Sequence, residues 1–199
     1  MLSAVEYCHA LLRERLLPGD WAVDATAGNG HDSHFLAQLT GPDGKVFAFD
    51  VQPGAIAATR RMLERWGVPE GCYQLIQSSH ADMAHQLPQA SEGRFAAVIF
   101  NLGYLPGGDK TVITRAESTL PAVRTALELL RPGGLLLLVL YPGHDGGAEE
   151  AQALRDLASA LPSRQWQVTE YRTLNARQAP PSVLAVEKAG VEAVPDWEI

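Results

Sequence analysis

The stretch Val23-Asp24-Ala25-Thr26-Ala27-Gly28-Asn29-Gly30-His31-Asp32 joins a short apolar run, a carboxylate and a glycine turn to the start of a helical segment. That order predicts a buried strand that ends in a tight turn and opens a helix. About twenty residues on, Val46-Phe47-Ala48-Phe49-Asp50 predicts the next strand, with a carboxylate at its C-terminal tip. A carboxylate there accepts hydrogen bonds from the two hydroxyls of a ribose, while Gly28 and Gly30 let a ligand approach bare backbone. The pair points to a nucleoside.

Details of the turn discriminate among nucleosides. A dinucleotide fingerprint needs a third small residue for helix–strand packing, with pyrophosphate on the helix N-terminus. Here the register reads Gly28-x-Gly30-x-x-Ser33, and Asp24 ends the strand just before the turn. An acidic residue in that place repels a pyrophosphate and suits the ammonium of a methionine moiety. S-adenosylmethionine therefore fits better than NAD. The competing local reading is that Asp24 caps the turn and the glycines only supply positive φ.

The rest of the composition narrows the class. At 199 residues the chain accommodates one domain, taken as 1–199 with its core about 19–188. No run of eighteen apolar residues suggests a membrane span, and the first residues lack the apolar core of a signal peptide. Cys8 and Cys72 lie far apart without metal-ligand spacing, so a reduced, cytoplasmic protein is the simplest expectation. Sixteen basic against 23 acidic residues give a net charge of −7, which argues against coating nucleic acid through a broad basic field but permits a local basic rim.

Periodicity and breakers predict the elements in order. Val5 to Leu16 reads as a lead-in helix, Trp21 to Ala25 as the first strand, His31 to Leu39 as a helix and Lys45 to Asp50 as the second strand. Pro53 to Trp66 is helical, Tyr73 to Gln77 a strand, Ala81 to Leu87 a short helix and Phe95 to Phe100 a strand. A glycine-rich loop runs from Asn101 to Lys110. Leu120 to Leu130 follows as a helix, with Thr119 as its cap and Pro121 in its first turn. Leu135 to Leu140 is apolar on both faces, as a central parallel strand should be. Ala148 to Leu161 is the last helix, and Gln165 to Tyr171 and Val183 to Glu187 close the chain as a hairpin. The fold class is α/β: a mostly parallel, Rossmann-like sheet of the class I methyltransferase type with a C-terminal antiparallel hairpin. Ligands of such sheets bind above the carboxyl ends of the strands. Asp24, Asp50, His80, Asn101 and Tyr141 all fall there.

Three motifs carry a family resemblance: Asp-Ala-Thr-Ala-Gly-Asn-Gly-His-Asp-Ser-x-Phe-Leu-Ala from Asp24, Phe-Asn-Leu-Gly-Tyr-Leu-Pro-Gly-Gly-Asp-Lys from Phe100, and Tyr-Pro-Gly-His-x-Gly-Gly from Tyr141. They resemble the small class I methyltransferases known as "putative rRNA methylases", over Trp21 to Lys188. Members from Gram-positive bacteria methylate the primary amine of wobble 5-aminomethyl-2-thiouridine in tRNA, so the resemblance implies S-adenosylmethionine as cofactor and tRNA as partner. Ser33 stands where the family has threonine. Gln178 replaces an asparagine in the family pattern Leu-Asn-x-x-Asn-x-Pro-Pro, which keeps the amide but not its reach. The tail after Lys188 is longer than the family core requires.

The expected cofactor residues are Asp24, Ala25, Gly28, Asn29, Gly30 and Asp32 from the turn; Asp50, Val51 and Gln52 after the second strand; Ser79, His80 and Asp82 after the third; and Asn101. Asp82, with His80 or Ser79 beside it, is the expected acceptor for the adenine amino group; its bland role is a helix cap. Asn101, Tyr104 and His144 are the expected catalytic residues. Asn101 would accept from an amine and aim its lone pair at the methyl, Tyr104 would stack on the base, and His144 with Asp145 would take a proton or touch substrate. The competing roles are a turn residue for Asn101, a lid over the core for Tyr104 and a solvated loop for His144. His31 and His34 lack a third ligand, so no metal is expected. Lys110, Arg115, Arg172 and Arg177 are the expected RNA rim, and Arg60, Arg61 and Arg65 a solvated face. Alternatives are a class I methyltransferase acting on rRNA or a small molecule, or a non-catalytic cofactor-binding module. Oligomeric state stays open, a homodimer included.

Overall fold

The chain enters through helix α1 (Ala4–Arg15), started by a reciprocal cap. The Ser3 amide donates to Glu6 Oε2 at 2.8 Å and the Glu6 amide to Ser3 Oγ at 3.3 Å, so two orphan donors of the first turn are satisfied locally. The computed structural model describes residues 1–105, 107, 111–176 and 180–190. After α1 come β1 (Trp21–Asp24), α2 (His31–Thr40), β2 (Lys45–Asp50), α3 (Pro53–Arg65), β3 (Tyr73–Gln77), α4 (Met83–Gln86) and β4 (Phe95–Asn101). The second half supplies α5 (Ala116–Leu129), β5 (Leu130–Leu140), α6 (Gly147–Ser159), β6 (Trp166–Tyr171) and β7 (Ser182–Lys188).

These strands form one seven-stranded sheet in the order β3-β2-β1-β4-β5-β7-β6. All pairings from β3 to β5 are parallel, and β7 runs antiparallel to both β5 and β6. The strand alternation sorts the core onto two faces. Val23, Phe47, Phe49, Val98, Phe100, Leu136 and Leu138 pack under α5 and α6. Their neighbours Ala22, Val46, Ala97, Ile99, Leu135, Leu137 and Val139 pack under α1, α2 and α3. A sheet covered on both faces needs continuous apolar strands, which explains the unbroken run in β5. The order reverses between β1 and β4, so the crevice for a ligand opens over their C-terminal ends, between Asp24 and Asn101.

Two local expectations are corrected. Helix α5 begins at Ala116, not Leu120, so Thr119 is no cap and Pro121 lies inside the helix. The Thr119 amide closes the first turn on the Arg115 carbonyl at 2.9 Å, and its hydroxyl is committed to a residue of α6, a contact far away in sequence. Strand β5 starts at Leu130, which already pairs with Phe95; the Gly133-Gly134 turn is absorbed as an irregularity in the ladder. The Ala81 to Leu87 helix splits into a 3₁₀ turn over His80–Asp82 and α4. No helix of the described residues is long and apolar enough to cross a membrane.

Candidate active site

A cavity of about 750 Å³ opens at the C-terminal ends of the parallel strands. Its two halves come from the two halves of the chain. The glycine turn, the residues after β2 and Ser78 to His80 form one half; Asn101 to Leu105, Val112 to Thr114 and Tyr141 to His144 form the other. Val5 of α1 and Pro181 close the side.

In the first half, Asp50 is held by two backbone donors. Gly28 N–H reaches Oδ2 at 3.0 Å and Gln52 N–H reaches Oδ1 at 2.9 Å. An ionised carboxylate offers about four lone-pair sites, so each oxygen keeps capacity for a ligand hydroxyl. The glycines divide their work. Gly28 has φ +54°, and a Cβ there would press on Leu105 at 3.2 Å, so the turn must stay bare beneath the loop after Asn101. Gly30 has φ +84°, and a Cβ would meet Thr59 Cα at 2.8 Å. It serves the packing of the turn against α3 and does not line the cavity.

Asp24 also departs from expectation. It is fully buried and does not line the cavity; Thr26 N–H donates to Oδ1 at 3.1 Å and Ser33 Oγ donates to Oδ2 at 2.6 Å. Burial, and then the neighbouring Asp32 charge, push its carboxyl up to about 7. Asp32 is the carboxylate that faces the cavity. The first helical turn of α2 carries it over the top of Asp24, a reversal of roles that the linear order does not reveal. Ala25, Asn29, Val51, Gln52 and Ser79 line the cavity as expected. Asp82 does not: it stays exposed and accepts from Ser78 Oγ at 3.3 Å, while Ser79 supplies the cap to Ala81 N–H. His80 lines the cavity. It hydrogen-bonds the Ala25 carbonyl, burial lowers its pKa, and its buried Nε2 has no partner among the described residues. A neutral ring whose Nδ1–H is spent on a carbonyl presents Nε2 as an acceptor, which matches an adenine amino group.

The second half centres on Asn101. Its backbone N–H donates to Thr26 Oγ1 at 2.7 Å, tying β4 to the glycine turn. Its Nδ2 donates to Asp32 Oδ2, and Asp32 Oδ1 lies 2.6 Å from His9 Nε2. His9 is stacked on Phe35, ring centroids 3.8 Å apart and planes 8° from parallel. A carboxylate only accepts, so Asp32 fixes the amide with its nitrogen inward and leaves Oδ1 as the end offered to a donor. Tyr104 is 44% exposed and meets His144 edge to face at 6.4 Å. The Nδ1 of His144 lies 3.0 Å from the Asp145 carbonyl, which can only accept, so Nδ1 carries the hydrogen in the neutral ring. The other nitrogen, Nε2, is buried without a partner among the described residues and lies by Gly103 in the cavity wall. Asn101, Tyr104 and His144 are thus gathered in one wall.

Of the expected rim, Arg115 is more than half exposed and pairs with Asp145 at 3.5 Å, beside the His144 loop. Arg172 is equally open and lies 3.9 Å from Glu170. Lys110, Arg177 and Gln178, and the tail from 191 on, lie outside the described residues. His9, Thr26 and Thr114 are wall or supporting residues to which the sequence assigned no role, and Tyr141, expected at a strand end, lines the wall. Among the described residues no group of His, Cys, Asp and Glu could hold a metal ion.

Comparisons with known proteins agree with this geometry. The family model described as "Putative rRNA methylase" matches residues 46–187. A chloroplastic protein of Arabidopsis thaliana named tRNA (mnm(5)s(2)U34)-methyltransferase is 36% identical over 185 residues, 89% of this chain and 67% of that one. A crystal structure described as a putative rRNA-methylase from Clostridium thermocellum superposes with a TM-score of 0.89 at 35% identity, covering 94% of this chain and 98% of that one. A "putative methyltransferase" from Streptococcus mutans, solved in complex with SAH, gives 0.84 at 35% identity, over 94% and 99%.

Proposed function

The chain belongs to the family described as "Putative rRNA methylase", and on that premise we propose that it methylates the aminomethyl nitrogen of wobble 5-aminomethyl-2-thiouridine in tRNA, using S-adenosylmethionine. The observation that carries the reading is the amide of Asn101, locked by Asp32 through its nitrogen so that its oxygen is the end left over, in the same wall as the Nε2 of His144, which has no partner among the described residues. That pair of acceptors suits an amine.

The site fits the cofactor on its own terms. Asp50 has spare acceptor capacity for a ribose, His80 Nε2 is a buried acceptor without a partner among the described residues and suits an adenine amino group, and Gly28 leaves the turn bare. Asp32, with Asp24 beneath it, supplies negative charge beside the glycine turn, which suits a ligand carrying an ammonium and a sulfonium. When bound, S-adenosylmethionine supplies an electrophilic methyl group.

The residues of the chain prepare the nucleophile. An alkyl amine arrives mostly as an ammonium and has no lone pair until a proton leaves. His144 Nε2, as the free acceptor of a neutral ring, takes that proton. Asn101 Oδ1 then accepts one N–H of the neutral amine and fixes the direction of its lone pair. Tyr104 offers a half-exposed ring for a base turned out of the anticodon stack. The wall supplies orientation, which is the main demand of an in-line transfer. RNA approaches across Arg115 and Arg172. We read the chain as a cytoplasmic enzyme, consistent with free, buried thiols at Cys8 and Cys72.

The test is incubation of the purified protein with S-adenosylmethionine and tRNA bearing the aminomethyl nucleoside, followed by nucleoside mass spectrometry. A gain of one methyl on that nucleoside is expected. Methylation confined to rRNA, or of a small molecule with tRNA untouched, overturns the substrate; no methylation of any of these overturns the reading.

A further inference from the structure

The wall that carries Asn101 is pinned where the chain leaves β4 and where it nears α5. Between β4 and α5 the chain departs at Gly103 and returns at Thr114, and these two residues are joined twice. Gly103 N–H donates to Thr114 Oγ1 at 2.8 Å, and Thr114 N–H donates to the Gly103 carbonyl at 2.9 Å. One step further out, Tyr104 and Ile113 form an antiparallel bridge. A threonine hydroxyl has a single hydrogen. With its oxygen accepting from Gly103, Thr114 gives that hydrogen to Glu150 Oε2 at 2.8 Å. The other oxygen of Glu150 accepts from Thr119 Oγ1 at 2.6 Å.

Glu150 is 2% exposed, and both its oxygens are taken by hydroxyls. A carboxylate is costly to bury, and an apolar side chain would fill the space more cheaply. What the carboxylate gives in return is direction: it only accepts, so both hydroxyls must point at it, and its charge strengthens both bonds. Its position in the first turn of α6 favours negative charge. The same turn holds His144. Gly147 N–H donates to the His144 carbonyl at 3.0 Å, and a Cβ at Gly147 would come within 2.9 Å of the imidazole.

We propose that Glu150 is a positioning residue: through the Thr114 hydroxyl it clasps the Gly103–Thr114 loop to the helix turn that seats His144, and so sets Asn101 and Tyr104 against the imidazole. The proposal rests on reading this wall as the acceptor side.

Thr114→Val, Thr114→Ser and Glu150→Gln test it by two independent readouts. Amide hydrogen exchange at Gly103 needs no substrate; it should rise about tenfold or more in Thr114→Val and Glu150→Gln and stay near parental in Thr114→Ser. In tRNA methylation, kcat/KM should fall about tenfold or more in the first two and recover in Thr114→Ser, with cofactor affinity within about twofold throughout. Parental exchange and parental kinetics in folded Thr114→Val overturn the clasp. So does a parallel loss of cofactor affinity, which would report collapse of the whole sheet end. If Glu150→Gln does not fold, the Thr114 pair still decides. If the parental protein methylates no tRNA, the substrate reading fails alone, and exchange at Gly103 still judges the clasp.

Discussion

Asn101 and Asp32 share one hydrogen bond, from amide nitrogen to carboxylate oxygen, and it determines which end of the amide is left free in the cavity wall. An unrestrained amide can turn over at little cost; this one is held by a group that cannot donate. Asn101→Ala should therefore lower the methyl-transfer rate far more than cofactor affinity, because the lost bond acts when the amine is aligned. A hydrogen bond to a neutral amine contributes about 0.5–1.5 kcal/mol, so a drop of roughly two- to twelvefold is expected. Single-turnover kinetics and calorimetry on the same variant separate the two quantities. A folded variant with the parental rate would leave Asn101 a turn residue.

Asp50→Ala should weaken S-adenosylmethionine binding by roughly 1.5–3 kcal/mol, as for a hydrogen bond to a charged group. Because Asp50 also holds the Gly28 and Gln52 amides, a modest loss of thermal stability should accompany it. Calorimetric titration at a temperature where the variant is folded checks the assignment, and unchanged affinity removes it.

Asp24 gives the site a pH dependence. Its carboxyl is raised to about 7 in the folded protein, so between about pH 4 and pH 7 the native state holds a proton that the unfolded chain has lost. Its contribution to stability therefore falls as pH rises through that window. A cationic ligand favours the ionised form, so cofactor affinity should climb with pH from about 6 to 8 and binding should release protons. Calorimetry in buffers of different ionisation enthalpy measures that release. Asp24→Asn should abolish it, and a persisting release would assign it to another group.

Arg115→Glu and Arg172→Glu should raise the apparent dissociation constant for tRNA and flatten its salt dependence. The same reversal at Arg60 and Arg61, on the outer side of α3, should change little. Equal effects from both pairs would place RNA on a different face.

The glycine turn and Asp50 were legible in the sequence because their geometry is local: a strand, a turn and a second strand one crossover away leave few arrangements. What the linear order hid is orientation and long-range pairing. Asp24 and Asp32 lie within one short segment, and only the path of the turn shows that the first goes under and the second faces out. His9 meets Asp32 from a helix with no motif of its own, across 23 positions. Thr119 carried every local mark of a helix cap, yet its hydroxyl is claimed by Glu150, 31 positions away. Asp82 had the right chemistry for adenine, but at the end of the 3₁₀ turn it is exposed and held by Ser78, and it is His80, at the start of that turn, that lines the cavity.

The reversal of strand order between β1 and β4 runs through the middle of the cavity. One side of that seam is built before residue 83 and holds Asp32, Asp50 and His80; the other is built after residue 100 and holds Asn101, Tyr104 and His144. On the proposed reading, variation in the loops after β4 and β5 reshapes which nucleophile is admitted while the methyl-donor side is inherited intact. For directed evolution, those two loops are where a library should be spent, with Asp32 and Thr26 held constant as the rivets between the halves and Glu150 as the clasp within the second.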